Sequence, residues 1–145
     1  MKKCSFGSPQ VHFLGYIVYA TSLAVDPDKV SAIKPWLQPT TISEARSFHG
    51  LASFYRRFVP HFSSIMALLT DCIRTGTFVW TPAATNAFNI IKDKLTSAPI
   101  LALPDFTLVF ELHCDASKTG VGAVLSQHNR PITFFSEKTS GARLR

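Results

Sequence analysis

Hydrophobic and polar positions follow three different rhythms along this chain, and each rhythm predicts a different kind of element. The run Val11-His12-Phe13-Leu14-Gly15-Tyr16-Ile17-Val18-Tyr19 is rich in β-branched and aromatic residues and reads as extended. Thr21-Ser22 then reads as a turn before the short apolar run Leu23-Ala24-Val25, so the opening predicts a β-hairpin. Asp26 and Pro27 are the cap and first position of a short helix through about Lys34, stopped by Pro35 and Pro39. Thr41-Ile42-Ser43-Glu44 is a capping box, in which the Thr41 hydroxyl and the Glu44 carboxylate satisfy free amides at a helix start. That helix should run to about Val59, where Pro60 ends it. A second should occupy Phe62 to Arg74, with Ser63 as its cap and Gly76 beyond its end. Thr81-Pro82 opens a third, where Ala84, Ala87, Phe88, Ile91, Leu95 and Ala98 form one apolar stripe closed by Pro99.

After Pro104-Asp105 the period changes to two. Phe106, Leu108, Phe110, Leu112 and Cys114 alternate with Thr107, Val109, Glu111, His113 and Asp115, which predicts a strand. A turn at Ala116-Ser117-Lys118-Thr119 leads to a second strand, Gly120 to Ser126, and Pro131 to Ser136 makes a third. The fold class is therefore α+β, with a hairpin, a helical segment and a three-stranded antiparallel meander. Such a sheet normally needs helices on it, yet the chain stops nine residues after Ser136, in Arg143-Leu144-Arg145. The expectation is a piece of a larger fold whose sheet is uncovered.

Apolar residues at 46% and charged residues at 17% exclude wholesale disorder. No apolar stretch approaches the roughly eighteen residues of a membrane span, and the start lacks the apolar region of a signal peptide. No membrane partner and no export are expected. The three cysteines, Cys4, Cys72 and Cys114, include no C-x-x-C pair. Neither a disulfide framework nor a four-ligand zinc site fits, and reduced thiols in the cytoplasm or nucleus do. Fifteen Lys and Arg against nine Asp and Glu leave a net charge of +6, which favours an anionic partner, nucleic acid first.

On a helical wheel of residues 45–59, Phe48, Leu51, Ala52, Tyr55, Phe58 and Val59 share one sector. Arg46, His49, Gly50, Ser53, Arg56 and Arg57 fall in an opposite arc of about 120°. A solvated face is one reading of that arc. Against it, Gly50 costs roughly 1 kcal/mol relative to Ala inside a helix, and Ser53 continues the small-residue strip one turn on. Water needs no such strip, whereas a closely approaching backbone does. Arginines flanking it suit phosphates on either side of a groove.

Asp115 stands at a strand end, where a carboxylate either caps a turn or holds a divalent metal. Glu111 shares its face but lies about 13 Å along the strand, too far to share metals about 4 Å apart. Only Glu137 is acidic after Asp115, so this chain cannot assemble a three- or four-carboxylate site unaided. His113 and Cys114 point to opposite faces. Ser117-Lys118-Thr119-Gly120 lacks the glycine spacing of a phosphate loop.

Several stretches occur together in a fixed order: Phe13-Leu14-Gly15-Tyr16-Ile17-Val18, Val25-Asp26-Pro27-Asp28-Lys29-Val30, Arg46 to Phe58, Phe78-Val79-Trp80, Ala98 to Asp105, Cys114-Asp115-Ala116-Ser117, Gly120 to Gln127 and Arg130-Pro131-Ile132. This series resembles the pol polyprotein of Ty3/gypsy-type LTR retrotransposons, particularly plant elements, over nearly the whole chain. The resemblance implies the end of a reverse transcriptase palm over residues 1–25 and a thumb-like segment over 26–80. A connecting helix and linker over 81–103 would lead to a truncated RNase H-like domain over 104–145. It implies that the helices grip a primer-template duplex or an RNA-DNA hybrid. Gly50 would be the closest approach to the minor groove, with Arg46 one turn before it and Phe54 one turn after. It implies that Asp115 is the first RNase H carboxylate, a ligand of Mg²⁺ in the complete enzyme, with no tight metal binding by this piece. The Tyr-x-Asp-Asp motif and the later carboxylates should lie in the remainder of the polyprotein, leaving this chain inactive alone. Two alternatives stand beside that reading: a small basic nucleic-acid-binding module, and a nonfunctional product of a degenerate element.

Overall fold

The computed structural model describes residues 6–74 and 76–139; Cys4 and the basic tail with Arg143 and Arg145 lie outside the described residues. Its opening is a meander, not one hairpin. β1 (Gln10–Phe13) and β2 (Tyr16–Tyr19) pair antiparallel with Phe13 opposite Tyr16, and β3 (Ser22–Val25) follows with Tyr16 opposite Val25. The turn missed in the sequence is Leu14-Gly15, with φ of 48° and 83°. Both positions need left-handed backbone, and Leu14 is a bulky residue that rarely adopts it. The composition therefore concealed the turn.

Asp26 caps α1 (Pro27–Ile33), its carboxylate accepting from the Asp28 amide at 2.9 Å. Thr41 caps α2 (Ile42–Phe54), accepting from the Glu44 amide at 3.2 Å. The return half of the capping box is displaced by one residue, because the Glu44 carboxylate accepts from the Thr40 amide and hydroxyl. α2 stops at Phe54, short of the expected Val59. Pro60 disfavours helical backbone at Val59, and its ring would clash with the Arg56 carbonyl in a continuous helix. Arg56–Phe58 consequently forms a tighter 3₁₀ turn. α3 (Phe62–Arg74) and α4 (Pro82–Thr96) match the apolar periodicity, and Thr81 caps α4. Ser63 is not a cap; its hydroxyl donates to the Ser136 carbonyl at 2.7 Å.

Phe48, Tyr55, Phe58, Ile33, Ile91, Leu95 and Leu101 are fully buried, so the core lies between the first sheet and the four helices. Phe48 and Phe88 meet at 4.6 Å between ring centroids. β4 (Leu101–Ala102) returns the chain to the edge of β3, giving the sheet order β1-β2-β3-β4.

The second sheet has the order β5-β6-β7, from β5 (Glu111–Ala116), β6 (Gly120–Gln127) and β7 (Arg130–Lys138). The expected strand from Phe106 begins only at Glu111. Asp105 instead closes a turn, its carboxylate accepting from the Thr107 amide and hydroxyl. Buried Gln127 pins that turn by donating to the carbonyls of Asp105 and Leu108. The sheet is also not wholly uncovered. Phe134 packs on the main core, and the Ser63 amide and hydroxyl bond Ser136, docking one face of β7 on α3. No helix among the described residues is long and apolar enough to cross a membrane.

Candidate nucleic-acid interface

Ending α2 at Phe54 redistributes the predicted basic arc. Arg46, Gly50 and Phe54 recur every four residues along the exposed side of α2, and exposed Arg57 follows on the 3₁₀ turn. A Cβ built on Gly50 would meet nothing within 4 Å. No neighbour among the described residues demands glycine there, and its backbone is helical.

His49 and Ser53 do not join this row; they turn toward α3. The Thr70 hydroxyl donates to the Met66 carbonyl at 2.9 Å, so it accepts from His49 Nε2 at 3.2 Å. Nδ1 is then left to accept from the Ser53 hydroxyl at 3.4 Å. Those partners suit the Nε2–H tautomer, and burial holds the His49 pKa below the usual histidine value. Arg56 lies on this same side, facing the seam between α2 and α3. The 3₁₀ turn thus separates two arginines that the wheel had placed together.

Tyr16 links the open row to the first sheet. Its ring stacks on Phe54 at 5.0 Å and on Phe58 at 5.9 Å, and the Arg57 guanidinium lies 6.0 Å from its centroid. Its hydroxyl donates to the Phe54 carbonyl at 3.0 Å, satisfying one of the free acceptors at the helix end. Burial raises the Tyr16 pKa, with Arg57 opposing. Tyr55 donates to the Gly15 carbonyl at 2.8 Å, and burial pushes its pKa up to about 12. Any Cβ at Gly15 would stand 2.5 Å from that hydroxyl. The hairpin tip is thereby keyed to the end of α2, and it presents Phe13 and Leu14, 59% and 71% exposed, beside Phe54. Sequence reasoning missed Tyr16, Tyr55 and the tip as parts of this surface. The available signal was the tetrapeptide Phe13-Leu14-Gly15-Tyr16, whose glycine marks a turn.

Asp115 is exposed on β5, opposite Gly122, which in turn faces Ser136 across β6 and β7. Directly paired residues share a face, so Asp115 lies on the side docked against the helices. A cavity of about 240 Å³ there is lined by Pro60, His61, His113, Asp115, Gly122 and Phe134. Glu111 is drawn to His113, 3.9 Å away, and not to Asp115. Among the described residues no group of three or more His, Cys, Asp or Glu could hold a metal ion. Asp115 by itself fits Mg²⁺ only as one hard oxygen donor.

Residues 80–145 match the model of the RNase H-like domain found in reverse transcriptase. The chain is 39% identical over 138 residues to the retrovirus-related Pol polyprotein from transposon 297 of Drosophila melanogaster, covering 94% of this chain and 13% of that one. It is 38% identical over 148 residues to the gypsy Pol polyprotein of the same organism. An uncharacterized mitochondrial protein of Arabidopsis thaliana is 40% identical over 111 residues, 75% of this chain and 70% of that protein. Among solved structures, the foamy viral protease-reverse transcriptase in complex with RNA/DNA hybrid superposes with a TM-score of 0.85 at 26% identity, over 94% of this chain and 19% of that one. The same enzyme in complex with dsDNA gives 0.84. The chain thus spans less than a third of these enzymes and about an eighth of the transposon polyproteins it matches.

Proposed function

The chain belongs to the Pol polyprotein family of gypsy-type LTR retrotransposons, and from that premise we propose that its helices grip a primer-template duplex while its second sheet begins an RNase H site. The observation that carries the first half is the open row Arg46, Gly50, Phe54, Arg57, with a glycine that nothing among the described residues requires. A duplex backbone approaching Gly50 gives that residue its physical reason, since it otherwise weakens α2 for no gain. Arg46 and Arg57 then reach phosphates on either side, and Phe54 with the hairpin tip offers an apolar edge to sugars. The work of such a protein lies inside the cell, in cytoplasm or nucleus.

Asp115 would hold one Mg²⁺ ion together with carboxylates from other parts of Pol. When bound, that metal supplies Lewis acidity and an activated water for cutting the RNA strand of a hybrid. This chain's own contribution is to fix the first ligand on a strand whose register is set by β6. The described residues give Asp115 no co-ligand, so the chain alone should leave a hybrid intact.

Fluorescence anisotropy with a labelled RNA-DNA hybrid tests the grip. Arg46→Ala and Arg57→Ala should each weaken binding several-fold and lower the salt slope by about 1, the signature of a lost phosphate contact. Binding that ignores both salt and these substitutions would refute the reading.

A further inference from the structure

β5 forms the open edge of the second sheet: among the described residues it pairs with β6 on one side and with no strand on the other. Its positions after Glu111 are all exposed. From Glu111 to Ala116 it carries no Pro, Lys or Arg, the residues that commonly blunt such an edge. The Ser117 amide donates to the Gly120 carbonyl at 2.8 Å, which fixes the phase of the ladder. With Ser117 and Gly120 as a hydrogen-bonded pair, Asp115 with Gly122 and His113 with Val124 are hydrogen-bonded pairs too. Leu112, Cys114 and Ala116 consequently direct their amides and carbonyls away from β6, outward from the sheet.

That phase restricts what can pair there. An antiparallel copy of the same strand must set outward-directed residues against outward-directed ones, so each residue faces itself or one an even number of positions away. Of the two registers with the longest overlap, the one centred on His113 sets Glu111 against the partner's Asp115, carboxylate against carboxylate. The one centred on Cys114 sets His113 against the partner's Asp115 and Asp115 against the partner's His113, so an imidazole donor from each copy meets a carboxylate acceptor. Leu112 then faces the partner's Ala116, small against large on one apolar face. His113 is free to make that contact, because its side chain is 71% exposed and its 3.9 Å pairing with Glu111 is screened by water. Room for a second copy exists, because α3 and the 3₁₀ turn pack on β7, the strand farthest from β5. Copies joined at β5 keep those docked strands roughly 24 Å apart at about 4.8 Å per strand, wider than two helices.

We infer that β5 is a self-pairing edge: two copies of this chain join antiparallel about a two-fold axis at Cys114, merging their three-stranded sheets into one. The pairing adds about six backbone hydrogen bonds, two for each facing pair among Leu112, Cys114 and Ala116, and the symmetric His113–Asp115 contacts set its register. The interface is smaller than that of a permanent dimer, so the association depends on concentration. It engages the same carboxylate that the proposed RNase H site would use, and so withholds Asp115 from that site.

Sedimentation velocity of the full chain tests the pairing, and residue-resolved amide hydrogen exchange on the wild type locates it. The chain should be monomeric near about 5 µM and largely dimeric near about 500 µM. At the higher concentration the amides of Leu112, Cys114 and Ala116 should exchange at least about tenfold more slowly, while those of β1, the edge of the first sheet, should not change. His113→Asp should weaken dimerisation at least about tenfold by setting carboxylate against carboxylate, and joining it to Asp115→His should restore the wild-type dimer. A chain that stays monomeric throughout would overturn the inference and leave the edge to a strand from the rest of Pol. A dimer that leaves the Leu112, Cys114 and Ala116 amides unprotected would also overturn it, as would a charge-swapped variant that associates as weakly as His113→Asp alone.

Discussion

The two surfaces with chemistry to offer are built to very different standards. α2 rests on Phe48, Ala52 and Tyr55, all buried, and its open face is held by rings and hydrogen bonds on either side. β5 is exposed at every position after Glu111, and Leu112 is 64% exposed. The helix is a rigid scaffold, supported along its inner face. The strand carries the candidate carboxylate at the open edge of its sheet, where β5 pairs with β6 alone among the described residues. A binding surface can therefore be complete in a segment where a catalytic one is not. Binding needs one rigid face, whereas metal-assisted hydrolysis needs donors gathered from several elements.

This contrast sets the size of mutational effects. Phe48→Ala should cost about 3–5 kcal/mol in chemical denaturation, because it empties a site enclosed by Trp36 and Phe88. Leu112→Ala should cost under about 0.5 kcal/mol. Equal losses would mean that β5 is covered after all. Gly15→Ala comes next, at about 2–4 kcal/mol, since it combines left-handed backbone with a collision against the Tyr55 hydroxyl. A loss below about 0.5 kcal/mol would show that the hairpin tip is not keyed to α2.

A smaller effect concerns acid. Asp26 has its pKa lowered, first by the Asp28 amide and then by His12 at 3.1 Å. A lowered folded-state pKa contributes stability that is present above the unfolded value, near 3.9, and is lost as pH falls through the folded one. Thermal melts of Asp26→Asn should therefore show a shallower decline than wild type below about pH 4. Parallel acid profiles would remove Asp26 from the account of how α1 is anchored.

Much of this architecture was legible in the sequence. α3, α4 and the second sheet follow from apolar spacing, and the caps at Asp26, Thr41 and Thr81 follow from side-chain chemistry. What stayed hidden depended on tertiary context or on backbone conformations that composition does not advertise. Leu14 at positive φ concealed the first turn, and Pro60 acted five residues upstream to divide the basic arc. Phe106 to Phe110 alternate like a strand, yet Asp105 and Gln127 hold part of that stretch in a turn. For the candidate site, Arg46, Gly50 and Phe54 emerged as one row, while His49 and Ser53 were claimed by Thr70 on a neighbouring helix. Asp115 was found on its strand, but its facing His61 and Pro60 is a tertiary fact.

The central claim is that Gly50 is small for the sake of an external duplex, and Gly50→Leu tests it most directly. Leucine is better than glycine in a helix by about 0.8 kcal/mol, which for a chain of this size raises the melting temperature by roughly 2–4 °C. The same side chain would stand where the duplex backbone approaches. Hybrid affinity should therefore fall at least tenfold while the protein becomes more stable. A more stable variant that binds the hybrid as well as the wild type would contradict the account.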